Sequence, residues 1–192
     1  MIVRLFIVAI PLLALSALAE ASTTVINIST QLGANPVQFD AGNGNTGVGY
    51  TLLLNEGDYE VSPLNSTRGG TFTAANRFGF ASPPSRGWEW SYFLAASGLG
   101  PIKVGFGGGE PDGTFTYQTS PEAAFSLAPS YSFHLDTTRS VTFYWLDDRW
   151  NDNVGGISLA ISAVPEPSNP LLYLTGTALL LAYVNSRARA VK

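Results

Sequence analysis

The C-terminal stretch from Val164 to Lys192 restricts this chain more than any other feature, because it reads as an address and leaves the folding to what precedes it. It opens with Val164-Pro165-Glu166-Pro167-Ser168, where each proline fixes its own φ and biases the residue before it toward extended geometry. A peptide of that kind stays rigid and exposed. Pro170 to Val184 follows without a charge, and counted from Pro167 the uncharged stretch is roughly 18 residues, the lower end of a bilayer-spanning helix. Arg187, Arg189 and Lys192 then close the chain, and a basic cluster directly after an apolar span favours the cytoplasmic side. The expectation is a transmembrane helix over this end, with the body of the protein outside.

The order Pro-Glu-Pro, short apolar helix, arginine-rich end resembles the PEP-CTERM sorting signal of Gram-negative bacteria. Pro165, Glu166 and Pro167 carry the motif, and the resemblance covers residues 164–192. It implies recognition by an exosortase, removal of a transiently membrane-anchored tail, and export to the cell surface or extracellular matrix, often beside an exopolysaccharide system. The plainer alternative is an ordinary C-terminal anchor in which Pro-Glu-Pro is incidental.

At the other end, Met1 to Arg4 supplies one positive side chain, Leu5 to Leu18 is apolar, and Ala17-Leu18-Ala19 places small residues at cleavage-site spacing. Residues 1–21 therefore read as a secretory signal peptide, with an uncleaved N-terminal anchor as the alternative. What remains, residues 22–163, is about 140 residues, enough for one domain with a sizeable core. That body holds twelve acidic against six basic side chains, a balance of −6. Nucleic acid is excluded as a partner, since phosphates demand basic patches, and docking on anionic lipid is disfavoured. The chain has no cysteine, which removes disulfides, thiol chemistry and Cys-ligated zinc.

Glycine, threonine, serine and aromatic residues dominate the body, and no long run of strong helix formers recurs at helical spacing. The pattern predicts an all-β fold. Strands are expected at Thr24–Ile28, Tyr50–Leu54, Tyr59–Val61, Trp88–Phe93, Ile102–Phe106, Thr114–Gln118, Ser130–Leu135, Val141–Leu146 and Ile157–Ile161. Asp40 to Gly49, rich in glycine and asparagine, reads as a flexible loop. Thr51 to Val61 reads as a β-hairpin turning at Asn55–Asp58, with Tyr50–Leu54 fit for a central strand. Many short strands between regular turns suggest an antiparallel β-sandwich of jelly-roll or galactose-binding-like type.

The segment before the last strand concentrates Asp147, Asp148, Asp152 and Asn153 ahead of Gly155 and Gly156. Calcium takes six to eight oxygen ligands, and carboxylates, amides and backbone carbonyls are all on offer here. The spacing does not fit an EF-hand. The segment resembles the loop of the calcium-dependent galactophilic lectins, small β-sandwiches in which an Asp and a later Asn-Asn pair precede a glycine-containing final strand. The resemblance implies that Asp152 and Asn153 match the amide pair and that Asp147 or Asp148 matches the leading Asp; this loop is shorter, and the first of the pair is Asp. Three readings stay open: structural calcium, calcium touching a sugar, or a solvated acidic turn satisfied by Arg149 and Asn151.

Trp88 and Trp90 alternate with polar residues and are candidates for stacking on glycan rings, although tryptophans at alternate strand positions more often fill a core. Trp150, among charged and polar neighbours, is the better candidate. His134, the only histidine, alternates with apolar residues and reads as a strand residue, and no Gly-x-Ser-x-Gly or His-Glu-x-x-His motif occurs. The expected protein is a non-enzymatic surface or matrix protein that interacts with exopolysaccharide or other glycan. The alternative is a polysaccharide-modifying hydrolase using two of Glu56, Glu60 and Glu89.

Overall fold

The computed structural model describes residues 22–42, 44–77, 87–107, 116–147, 150 and 152–165, together with residue 178. The chain divides into two compact units, one spanning Ala21–Val164 and the other taking Met1–Glu20 with Pro165–Lys192. Nearly all of the second unit, and with it the predicted signal peptide, transmembrane helix, Glu166 and Pro167, lies outside the described residues; Pro165 is described and exposed. Among the described residues no helix is long and apolar enough to cross a membrane.

The unit Ala21–Val164 is almost entirely antiparallel β-structure. Its strands are β1 (Thr23–Ser29), β2 (Val37–Gly42), β3 (Asn45–Leu54), β4 (Gly57–Leu64), β5 (Ala75–Asn76), β6 (Trp88–Ala96), β7 (Leu99–Phe106), β8 (Tyr131–Leu135), β9 (Arg139–Asp147) and β10 (Val154–Ala163). Hydrogen bonding runs in the order β2-β3-β9-β6-β5-β10-β4-β8, with β1 on the far edge of β10 and β7 on the far edge of β6. The two-residue β5 is the link between two strand groups: Ala75 and Asn76 pair with Glu89 and Trp88 of β6 on one side and with Gly155 and Val154 of β10 on the other.

Alternation along the strands explains the core. Ile26 and Ile28 of β1, Tyr59 and Val61 of β4, Leu135 of β8 and Ile157, Leu159 and Ile161 of β10 are buried in one cluster with residues of the other group. Those are Val48 of β3, Trp90, Tyr92 and Leu94 of β6, and Val141, Phe143 and Trp145 of β9. Fully burying one such side chain is worth about 1.5–3 kcal/mol, so a cluster this size carries the stability of a chain without disulfides. Phe133 of β8 lies 6.4 Å from Phe143 of β9, one of the contacts between the groups.

Several expectations hold and three fail. Strands appear where Thr24–Ile28, Ile102–Phe106, Ser130–Leu135, Val141–Leu146 and Ile157–Ile161 are expected; β8 starts one residue later, at Tyr131, and the other four are longer than expected. Of Thr114–Gln118, Gln118 makes an isolated bridge to Trp88. The segment Asp40–Gly49 is not a loop: most of it belongs to β2 and β3, which pair with each other from Val37↔Gly49 to Gly42↔Asn45. Two of its glycines serve packing, because Gly47 lies under the Phe39 ring and a Cβ at Gly49 would collide with the Phe143 carbonyl, whereas Gly42 and Gly44 take positive φ at the turn.

The hairpin over Thr51–Val61 does not form. β3 pairs with β2 and β9, whereas β4 pairs with β10 and β8, so the Asn55–Glu56 connection carries the chain from one strand group to the other. Nor is Tyr50–Leu54 central, since beyond Gly49 only β9 pairs with it and Leu53 is 73% exposed. A short helix, α1 (Pro121–Ser126), was not expected; Ser120 caps it by accepting from the Ala123 N–H at 3.1 Å, and Pro121 supplies a preset first-turn φ.

Candidate functional site

Among the described residues, buried charge concentrates where β5, β6 and β9 meet. β9 pairs with β6 only over Phe93–Ala96, and β5 takes its place beside β6 at Trp88–Glu89. Arg77, the residue after β5, reaches across the space between them. Its Nε and Nη2 donate to Glu89 Oε1 at 3.1 and 3.0 Å, and its Nη1 pairs with Asp147 Oδ1 at 3.3 Å. Its guanidinium carbon lies 4.7 Å from the centre of the Trp145 ring, and Trp150 packs edge-on against Trp145 at 5.6 Å.

Glu89 is completely buried and Asp147 is 1% exposed. Burial pushes the Glu89 carboxyl up to about 7, with the Arg77 charge and hydrogen bonds acting against the rise and the Asp147 charge adding to it. For Arg77, burial alone would lower the value, but the charges of Glu89 and Asp147 outweigh it and hold the guanidinium firmly protonated. Both Arg77 bonds to Glu89 reach Oε1, and Oε2 has no hydrogen-bond partner among the described residues. Gly107 (φ 101°) lies directly against that carboxylate, and any side chain at position 107 would overlap it. Lys103 donates to the Gly107 carbonyl at 2.6 Å and adds a second positive charge near Glu89.

The proposed calcium ligands are dispersed relative to this cluster. Asp147 ends β9 and directs its carboxylate to Arg77, a cation already in place. Asp148, with Arg149 and Asn151, lies outside the described residues. Asp152 is half-buried and Asn153 is 4% exposed, and Oδ1 of each has no hydrogen-bond partner among the described residues. Asn153 Nδ2 reaches the Thr30 carbonyl only at 3.5 Å. Among the described residues no group of three or more His, Cys, Asp or Glu side chains could hold a metal ion. The donors that keep the chemistry calcium needs, buried hard oxygens without a partner, are therefore Asp152 and Asn153; Asp147 serves Arg77.

Of the glycan-stacking candidates, Trp90 is fully buried, packed edge-on against Tyr92 at 5.7 Å, and offers no face to a ligand. That is a correction, and its cause is the strand: β6 has neighbours on both edges, and its alternate large side chains fill the core. Trp88 and Trp150 are half-buried against the same core. Glu56 and Glu60 stand in the β4 region, Glu60 exposed and accepting from Ser62 Oγ, so neither shares a cluster with Glu89.

Sequence reasoning missed Arg77 altogether. The signal for the ion network was faint: an acid flanked by two tryptophans at Glu89, and another directly after Tyr144-Trp145-Leu146. No family model, no curated protein and no solved structure matches this chain.

Proposed function

We propose that this chain is an exported, non-enzymatic protein of the cell surface or extracellular matrix, sent out by its N-terminal signal peptide and sorted by an exosortase at its PEP-CTERM tail. Its folded body is a β-sandwich of jelly-roll or galactose-binding-like type that contacts exopolysaccharide or other glycan. The observation that carries this reading is where the compact β-unit stops. It ends at Val164, one residue before the Pro-Glu-Pro motif, and Pro165 is exposed. A sorting peptide must be readable without unfolding the domain, and this position meets that need.

Two further observations support it. The core cluster draws alternate residues from both strand groups, as the facing sheets of a sandwich require. Glu89 and Asp147 are bridged by Arg77, whereas glycoside hydrolysis needs two carboxyl groups facing each other across room for substrate. Of the three acids the alternative hydrolase would draw on, Glu89 is held by Arg77, and Glu60 stands exposed on β4 with Ser62 donating to it. For glycan contact the exposed parts of Trp150 and Trp88 remain, and for calcium Asp152 and Asn153.

The test is cell fractionation of the full chain and of a variant with Pro165, Glu166 and Pro167 all changed to Ala. We expect the wild type at the surface or in the medium and the variant held in the inner membrane. Identical distributions would overturn the sorting reading.

A further inference from the structure

Two stretches of the chain carry the Asn-x-Ser/Thr pattern of an N-linked glycan acceptor, Asn27-Ile28-Ser29 and Asn65-Ser66-Thr67. The structure separates them. Asn27 lies inside β1, where its side-chain oxygen accepts from the Thr71 N–H at 2.8 Å and from Ser158 Oγ at 2.7 Å. Ile28 is fully buried, Ser29 is buried, and β1 is zipped to β10 from Thr23 to Ser29. Presenting that triplet to an enzyme would require pulling a strand out of the fold.

Asn65 is placed differently. It joins β4 to a one-turn 3-10 helix over Ser66–Arg68, and Ser66, Thr67, Arg68 and Gly69 are all exposed. Its backbone is extended (φ −126°, ψ 178°), and its carbonyl accepts from the Arg68 and Gly70 N–H groups at 3.0 and 2.9 Å, so the main chain holds the turn. The side chain does not cap the helix. Thr67 Oγ1 instead donates to Asn65 Oδ1 at 2.9 Å, and Nδ2 has no hydrogen-bond partner among the described residues. A hydrogen bond to the amide oxygen draws charge toward it and makes the N–H easier to deprotonate. That proton must leave when the nitrogen forms a new bond.

We propose that Asn65 is an N-glycosylation site, its amide nitrogen presented by the exposed turn and its amide oxygen held by the Thr67 hydroxyl. The donor class is an oligosaccharide carried on a polyprenyl diphosphate. Nδ2 bonds to the anomeric carbon, the carbon–oxygen bond to diphosphate breaks and its electron pair leaves with the diphosphate. One Nδ2 proton passes to a carboxylate base of the transferase, and nothing is oxidised or reduced. This inference rests on the export reading, because a donor anchored by polyprenol is met only at a membrane.

The experiment incubates the purified full chain in detergent with a polyprenyl-diphosphate oligosaccharide and an oligosaccharyltransferase that requires only the three-residue motif, followed by peptide mass mapping. A free acceptor peptide in the same tube reports that the enzyme is active. We expect glycan on the peptide containing Asn65 and none on that containing Asn27. Thr67→Ala and Asn65→Gln should abolish the modification and Thr67→Ser should retain it. A glycosylated control peptide beside bare Asn65, or equal modification of Asn27 and Asn65, overturns the proposal. Mapping the chain from its own cells separates this from export. A product that has lost its signal peptide yet carries bare Asn65 overturns glycosylation alone, whereas a retained signal peptide counts against export and leaves the in vitro transfer to decide Asn65.

Discussion

Arg77→Met should be the most costly single substitution outside the apolar core, and its cost should depend on pH. Arg77 holds two carboxylates that are 0% and 1% exposed, through contacts of 3.0–3.3 Å. Removing one partner of a buried ion pair costs about 3–5 kcal/mol, because the other charge is left without compensation. The contact of the guanidinium with Trp145 is part of that figure, at about 0.5–2 kcal/mol. Lys103, the remaining cation near Glu89, offsets some of the loss, so we expect about 3 kcal/mol at pH 8.

The pH dependence follows from Glu89. Its folded value of about 7 lies above the 4.5 of an unfolded chain, so between those values the folded state holds a proton that the unfolded state has released. Stability then falls as pH rises through that window, by up to about 3 kcal/mol from this group. Deleting Arg77 removes an influence that lowers the value and extends the window upward. At pH 5, with Glu89 protonated in both proteins, the part of the loss owed to the Glu89 charge should disappear, leaving a smaller difference made of the lost Asp147 pairing, hydrogen bonding and stem packing. Urea denaturation followed by tryptophan fluorescence at pH 5 and pH 8 measures both differences. A loss below about 1 kcal/mol at pH 8, or the same loss at both values, would refute the view of Arg77 as the counter-charge of two buried acids.

Calcium should raise the urea midpoint of the wild type, through a gain in stability of about 2.7 kcal/mol at a hundredfold excess over its dissociation constant, and Asp152→Ala with Asn153→Ala should remove that rise while leaving the calcium-free midpoint near its original value. Equal midpoints with and without calcium would mark the turn as merely solvated. His134, exposed at the free edge of β8, titrates above its ordinary value because it hydrogen-bonds Asp58 at 2.8 Å and feels the charges of Asp58, Asp136 and Glu56. Any stability it lends is present below the unfolded value and is lost as pH rises through the folded one. An NMR titration should show Asp58→Asn lowering the His134 midpoint, and an unchanged midpoint would rule out that pairing.

Strand positions were legible in the sequence where core-facing residues recur at period two, as Val141, Phe143 and Trp145 do in β9, where Tyr144 on the other face is buried as well. Strand partners were not. The turn at Asn55–Glu56 has hairpin chemistry, but period two says only that Leu52, Leu54, Tyr59 and Val61 seek a core, and both strand groups share that core. Glycine misled in the same way at Gly47 and Gly49, where it marks close approach of Phe39 and Phe143 and not flexibility. The ion network joins residues 77, 89 and 147, brought together by the crossing of β5 between groups, and no local pattern encodes that crossing. The cap of α1 was visible in Ser120-Pro121, but a six-residue helix leaves too little periodicity to detect.

The most direct test of an exported, tail-sorted protein is the intact mass of the chain recovered from outside the cells that make it, read together with its terminal peptides. We expect an N-terminus near Ser22 and a C-terminus at or close to Pro165-Glu166-Pro167. An extracellular product with peptides running through to Lys192 would contradict it.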